Sequence, residues 1–198
     1  TGGVTVNRNC ASSLQAINDA AMSIMAGCED VQIAGGVEHM HHIPMTKDYD
    51  PAPGLFRKYS EAIMHMGLTA EYLSNKYAIG RVQQDEFALR SHQLADEATR
   101  LGQFTGEVIP TWGRDHDGRK TRITRDQCIR EDCSLEGLEA LPPAFNPAGG
   151  SVTAGNSSPI NVGAAAVMMM SEATATDLGL EPIARVRAMA VAGVDPTE

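Results

Sequence analysis

No stretch of roughly 18 or more consecutive apolar residues occurs in the sequence, which removes the pattern of a membrane-spanning helix. The first residues also lack a charged segment followed by an apolar one, the pattern of a secretory leader. Basic charge is scarce: 16 Lys and Arg stand against 25 Asp and Glu, for a net charge of -9. With no dense basic run to offset that balance, a nucleic-acid footprint is not expected. Cysteine is scarce too. Cys10, Cys28, Cys128 and Cys133 are too few and too scattered for a disulfide framework in a chain of this length, and they fit a reducing compartment. The expectation is a cytoplasmic protein with no integral membrane segment and no nucleic-acid partner.

Metal-ligand spacing is missing as well. Cys128 and Cys133 have no second cysteine pair to complete a zinc set. His39, His41 and His42 cluster, but adjacent side chains on an extended segment point to opposite faces, and no cysteine or carboxylate at ligand spacing joins them. Asp115-His116-Asp117-Gly118 opens like a calcium loop without the glutamate such a loop requires, and reads as a turn. No metal site is expected, and no internal repeat is found.

What is there is enough apolar content, 42% of 198 residues, to bury an ordinary core as one domain or as parts of two. Thr1 is not an initiator methionine and leads almost at once into an extended run, and the last residues stop just after another, so a piece of a longer protein is expected. Val4 to Asn7 reads as a strand, Ala11 to Ala26 as a helix stopped by Gly27, and Val31 to Gly36 as a short buried strand. That order predicts a parallel α/β sheet covered on both faces. A turn-rich boundary from about Asp48 to Gly54 opens a second region. Helical patterns run over Thr69 to Tyr77 and Gln83 to Leu101, the latter with Phe87, Leu94 and Leu101 expected in the core and Gly102 after it. Glu107 to Pro110 and Lys120 to Ile123 suggest a β excursion. Ala144 to Ser158 is rich in Gly, Asn and Ser, and could set backbone amides and hydroxyls around a polar ligand. Gly163 to Met170 reads as another buried strand with its three methionines in the core, Ser171 as the cap of a short helix ending near Leu178-Gly179, and Ile183 to Ala192 as a further strand.

Cys10 stands at the joint between the first strand and the first helix. Unpaired N–H groups and the positive end of the helix dipole favour a thiolate there, which makes Cys10 a candidate nucleophile. A packing cysteine is the competing reading, because free cysteine is among the most buried residue types.

The run Val6-Asn7-Arg8-Asn9-Cys10-Ala11-Ser12-Ser13-Leu14-Gln15-Ala16 resembles the acylated-cysteine signature of the thiolases, Asn-Arg-x-Cys-x-Ser-Gly/Ser-Leu/Met-Gln-Ala. Further segments resemble that family in the right order, over essentially the whole chain: Gly35-Gly36-Val37-Glu38-His39-Met40, His65-Met66-Gly67-Leu68-Thr69-Ala70-Glu71, Ile129-Arg130, Pro143-Ala144-Phe145, Thr153-Ala154-Gly155-Asn156-Ser157-Ser158 and Asn161-Val162-Gly163-Ala164-Ala165-Ala166. The resemblance implies an α/β thiolase fold of layered α-β-α-β-α. Residues 1–47 would be the first part of the N-terminal domain, 48–158 an inserted α+β loop domain that binds coenzyme A, 159–179 the returning part, and 180–198 the start of the C-terminal domain. It implies a catalytic Cys10, a pantetheine channel lined by His65 and Met66, Arg130 at the nucleotide end, Ala144 and Phe145 bordering the ligand, and Ala154 and Ser158 on the coenzyme A loop. No cofactor would be held permanently; coenzyme A is a co-substrate.

Glu38-His39 with the nearby Pro44-Met45 is similar to the fatty-acid-degrading branch, which implies a 3-ketoacyl-CoA thiolase acting in β-oxidation as a homodimer, with a partner subunit of a β-oxidation multienzyme as a further implied contact. The alternatives are a biosynthetic acetoacetyl-CoA thiolase, a non-catalytic acyl-CoA-binding member of the fold, and a plain structural α/β module. Pro142, Val162 and His41 depart from the arginine, aspartate and glycine usual in the family. The family's Asn-Glu-Ala-Phe, Gly-His-Pro and Cys-x-Gly segments do not occur, so this stretch by itself is expected to be inactive.

Overall fold

The computed structural model describes residues 2–47, 49–115 and 117–196, arranged as two compact units. Residues 1–50 and 160–193 form the first, and residues 51–159 with 194–198 form the second. Asp48, at the expected start of the second region, and His116, within the expected turn, lie outside the described residues.

In the first unit, helix α1 (Ser12–Met25) lies on strand β1 (Val31–His39), and strand β4 (Val162–Met170) pairs with β1. The helical spacing read from Leu14, Ile17, Ala21 and Ile24 is what forms α1, and Gly27 ends it at φ +71°, a conformation that suits glycine. The buried core is small: Ala20 and Ala21 from α1, Ala34 from β1, and Ala175 from helix α5 (Glu172–Asp177). Ser171 caps α5, its Oγ accepting from Thr174 N–H at 3.1 Å.

Helix and sheet are in close contact at Gly36. A Cβ there would collide with the Ser13 hydroxyl, so a side chain at this position must displace that group. The side chains buried in this unit are small, Ala20 and Ala21 on α1 and Ala34 on β1, which suits a close packing of helix on sheet.

The strands differ from the expected ones in four respects. The sheet is antiparallel, with Val31 opposite Met170 and His39 opposite Val162. Residues 4–7 form no strand, so the parallel pair they would have made with β1 across α1 does not exist; the sheet order is β1-β4 alone. Residues 183–192 form no strand either, and Ile183 is fully exposed. Nor are β1 and β4 buried on both sides. Alternate residues of β1 turn Ala34 and Gly36 toward α1, while Ile33 and Val37 face out with Met168 beside Ile33. An apolar run suited to cover on two faces has cover on one among the described residues, and Met168 is exposed where a core position was expected.

The second unit is built on helices α2 (Met66–Lys76), α3 (Arg81–Arg100) and α4 (Leu135–Glu139), with a hairpin of β2 (Thr111–Arg114) and β3 (Lys120–Ile123). Both helical patterns are present, each starting a few residues earlier than expected. Gln83 Oε1 accepts from Gly80 N–H at 2.9 Å to open α3, and Gly102 at φ +70° follows its end. The hairpin turn is held by Asp115, whose Oδ1 accepts from the N–H groups of Asp117 and Arg119 at 3.0 and 2.8 Å, with Gly118 at φ +77°. Glu107–Pro110 precedes the hairpin without joining it. Phe87, Leu94 and Leu101 are exposed, not core: they recur every seventh residue along α3, whereas the face turned inward carries Arg81 and Asp85.

Substitution at Gly36 tests the helix-sheet contact. Gly36→Val should lower the unfolding free energy by about 2 kcal/mol or more, with Gly36→Ala intermediate, as measured by denaturant titration. Midpoints unchanged in both variants would refute the close approach.

Candidate active site

Cys10 is exposed and stands one residue before Ala11, the N-cap of α1. The packing reading therefore does not describe it in this chain. Asn9 adopts φ +49°, a left-handed conformation that asparagine tolerates better than most residues, and its N–H is met by Asn7 Oδ1 at 3.1 Å. Ala11 has no side-chain cap to offer, and Ser12 holds the turn instead. Its Oγ donates to Asn9 O at 2.6 Å and accepts from Arg8 N–H at 2.7 Å. Backbone bonds from Ala11 N to Arg8 O and from Ser12 N to Asn9 O, both 3.0 Å, close the same loop. Arg8 also donates through Nη1 to Gln15 Oε1 at 2.6 Å, and Gln15 donates through Nε2 to Asp19 Oδ1 at 2.7 Å. The thiol thus rides on a turn braced from both sides, at the positive end of a 14-residue helix.

The other seven expected site residues, His65, Met66, Arg130, Ala144, Phe145, Ala154 and Ser158, all lie in the second unit and all are exposed. His65 is the N-cap of α2 and Met66 its first residue. The ring of Phe145 lies against Gly67, where a Cβ would strike it, so the aromatic sits beside that helix start. Ala144 N–H donates to Val152 O at 2.8 Å, and Pro143 bridges to Thr153, which ties the Pro-Ala-Phe segment to the loop carrying Ala154 and Ser158. Ala154, Ser158 and Arg130 line one cleft of about 950 Å³, together with Phe87 and His92 of α3. Arg130 N–H donates to His92 Nδ1 at 3.2 Å, which fixes its backbone to α3. The cleft thus combines the guanidiniums of Arg125 and Arg130, the carboxylates of Glu131 and Asp132, hydroxyls and apolar wall, a mixed lining with room for a long ligand.

Residues 1–173 match the family model for the thiolase N-terminal domain. The chain belongs to the thiolase family. It is 54% identical over 194 residues to a 3-ketoacyl-CoA thiolase of Cronobacter sakazakii, covering 98% of this chain and 50% of that protein. A 3-ketoacyl-CoA thiolase of Saccharophagus degradans is 52% identical over 193 residues, with 98% and 49% covered. Among solved structures, the acetyl-CoA acetyltransferase of Bacillus anthracis superposes with a TM-score of 0.79 at 38% identity, over 98% of this chain and 52% of that one. The chain spans about half the length of the curated relatives it matches.

The α/β thiolase fold read from the motifs is therefore the fold of this chain, but those motifs hid the groups that hold the thiolase loop in place. Glu71 is buried and accepts through Oε2 from Ser151 N–H at 2.9 Å and through Oε1 from Val152 N–H at 3.0 Å. Asp85, fully buried, takes Arg81 Nε at 2.7 Å and Asn156 Nδ2 at 3.0 Å on its two oxygens. Glu71 and Asn156 were in view only as letters of a motif, and the burial of Asp85 has no signal in sequence beyond its position four residues after Arg81. Among the described residues no group of three or more His, Cys, Asp or Glu is placed to hold a metal ion, and no helix is long and apolar enough to cross a membrane. His39 instead accepts at Nδ1 from His42 N–H at 3.1 Å, with their rings 5.6 Å apart.

Burial raises the pKa of Cys133, and the neighbouring Asp132 carboxylate adds to the shift while Arg130 opposes it. A raised thiol pKa lowers the thiolate fraction of Cys133, and with it its reactivity, relative to a free thiol. Its alkylation by iodoacetamide, resolved by mass spectrometry across pH about 7 to 10, should rise with a midpoint above the free-thiol value of about 8.5. A midpoint at or below that value would contradict the burial argument.

Proposed function

We propose that the protein to which this chain belongs is a 3-ketoacyl-CoA thiolase that cleaves 3-ketoacyl-CoA with coenzyme A to acetyl-CoA and an acyl-CoA shortened by two carbons. The observation that carries this reading is Cys10, exposed on a braced turn at a helix start, within a chain 52–54% identical along nearly its whole length to proteins of that name. In the first half-reaction the Cys10 thiolate attacks the 3-keto carbon. The bond between C2 and C3 breaks, its electron pair goes to C2, and a proton delivered there releases acetyl-CoA. The acyl group stays on sulfur as a thioester. In the second half-reaction the thiolate of a second coenzyme A attacks that thioester and Cys10 is freed, so two moderate steps replace one difficult displacement.

In this reading the second unit supplies recognition. Arg130 meets the nucleotide end of coenzyme A, while His65, Met66, Ala144, Phe145, Ala154 and Ser158 follow the pantetheine arm. Residues 48–158 act as an inserted coenzyme-A-binding domain, between residues 1–47 and 159–179 of the N-terminal domain, and 180–198 begin the C-terminal one. No cofactor is held permanently. The protein works in the cytoplasm as a homodimer in fatty-acid β-oxidation, with a multienzyme subunit as a further partner. A biosynthetic acetoacetyl-CoA thiolase is the second reading, favoured by the likeness to acetyl-CoA acetyltransferases, although at a lower identity of 36–38%.

In the full-length protein, Cys10→Ala should lower thiolysis by roughly a thousandfold or more. Iodoacetamide should label Cys10 faster than Cys28, Cys128 or Cys133, and acetoacetyl-CoA should protect it. Equal labelling of Cys10 and Cys28, which is also exposed, without protection, would refute the nucleophile. A higher kcat/KM on a long-chain 3-ketoacyl-CoA than on the four-carbon substrate supports the degradative reading, and the reverse supports the biosynthetic one.

A further inference from the structure

We propose that Asp85 and Glu71 are positioning residues for coenzyme A recognition: from inside the second unit they fix the 151–158 segment so that Ala154 and Ser158 stand on the cleft wall facing the same space as Arg130. The inference rests on the reading of that cleft as the coenzyme A site.

Neither carboxylate lines the cleft, and both are buried. Glu71, on α2, grips the start of the segment through the N–H groups of Ser151 and Val152, and its Oε2 also accepts from Ser151 Oγ at 3.2 Å. Asp85, on α3, grips its middle through Asn156. Asn156 in turn closes a tight local loop. Its Oδ1 accepts from Thr153 N–H at 2.8 Å, and Thr153 Oγ1 accepts from the N–H groups of Gly155 and Asn156 at 3.2 and 3.3 Å. Asn156 Nδ2 also donates to Ser151 O at 3.1 Å, so the two grips are coupled. Ala154 lies inside that closed loop, and Ser158 follows it by four residues.

Arg81 orients Asp85 from the other side. Its Nε holds one carboxylate oxygen, leaving the other for Asn156, while Nη2 donates to Leu138 O at 2.5 Å and Leu141 O at 3.0 Å. Gly155 has no room for a Cβ against Leu138 and Leu141, so the loop is seated on the end of α4 as well as tied to Asp85. A carboxylate with both oxygens assigned has one orientation, and through Asn156 that orientation sets where Ala154 and Ser158 stand.

The test compares the full-length parent with Asp85→Asn on acetoacetyl-CoA and on its N-acetylcysteamine thioester, which keeps the reacting carbons but lacks the nucleotide and most of the pantetheine arm. Asp85→Asn should raise KM for acetoacetyl-CoA about tenfold with kcat within about twofold of parent. On the truncated thioester its kcat/KM should stay within about twofold of parent, because that substrate does not reach the cleft wall. Should Asp85→Asn fail to accumulate as folded protein, Glu71→Gln, which replaces one accepting oxygen by an amide N–H₂, should give the same split. Equal losses on both substrates, or an unchanged KM for acetoacetyl-CoA in a folded variant, would overturn the positioning role. A parent that uses both thioesters with the same kcat/KM would overturn the coenzyme A reading itself, whatever the variants do.

Discussion

The second unit depends on one carboxylate. Asp85 is wholly enclosed, and a buried charge is tolerated only when opposite charge and hydrogen bonds replace the water it has lost. Arg81 supplies the charge and Asn156 the remaining donor, and removing one partner from such an arrangement costs about 3 to 5 kcal/mol. The buried apolar side chains around it are few, Leu138 and Val152 among them, so hydrogen bonds carry much of what apolar packing carries elsewhere. Among the described residues no buried side-chain nitrogen or oxygen lacks a partner, which is the condition under which such a polar core holds one geometry.

The first unit is held by the opposite means. Its buried side chains are small, Ala20, Ala21, Ala34 and Ala175, and at Gly36 the sheet takes the Ser13 side chain of α1 where a Cβ would stand. That proximity matters at the start of α1, because Ser13, whose hydroxyl leaves no room for a Cβ on Gly36, is three residues from Cys10. Ser12, next to it, clamps Arg8 and Asn9. The turn that carries Cys10 is therefore fixed by local hydrogen bonds at the helix end that also packs against Gly36.

How much of this was legible in the sequence follows from the range over which each feature is determined. α1, α3 and α5 were read to within a few residues, because helical spacing, Gly27, Gly102 and the Ser171 cap act within a turn or two. Strands failed where pairing decides. Val4 to Asn7 has strand-like composition, but the sheet expected to hold it contains only β1 and β4, and Ile183 to Ala192, expected as a further strand, forms none. Exposure failed for a related reason: Phe87, Leu94, Leu101 and Met168 are apolar, and apolarity states what a side chain tolerates, not which neighbour this chain supplies. The candidate site was legible through the order of several motifs. The network beneath it was not, since Asp85 meets Asn156 across 71 positions and nothing local marks either as the other's partner.

A polar core at this place has a specific consequence for the loop it holds. Apolar packing is non-directional: side chains of similar volume can slide and repack with small changes in energy. A loop seated only on such a surface could shift its register without a large penalty. Hydrogen bonds to Glu71 and Asp85 are directional, and a shift of one residue would leave buried carboxylate oxygens without donors. The energy gap against misplacement is thus larger than the net stabilisation the network contributes. Such a gap holds Ala154 and Ser158 in a single arrangement on an otherwise exposed wall, an order fixed by the fold and set before anything meets that wall.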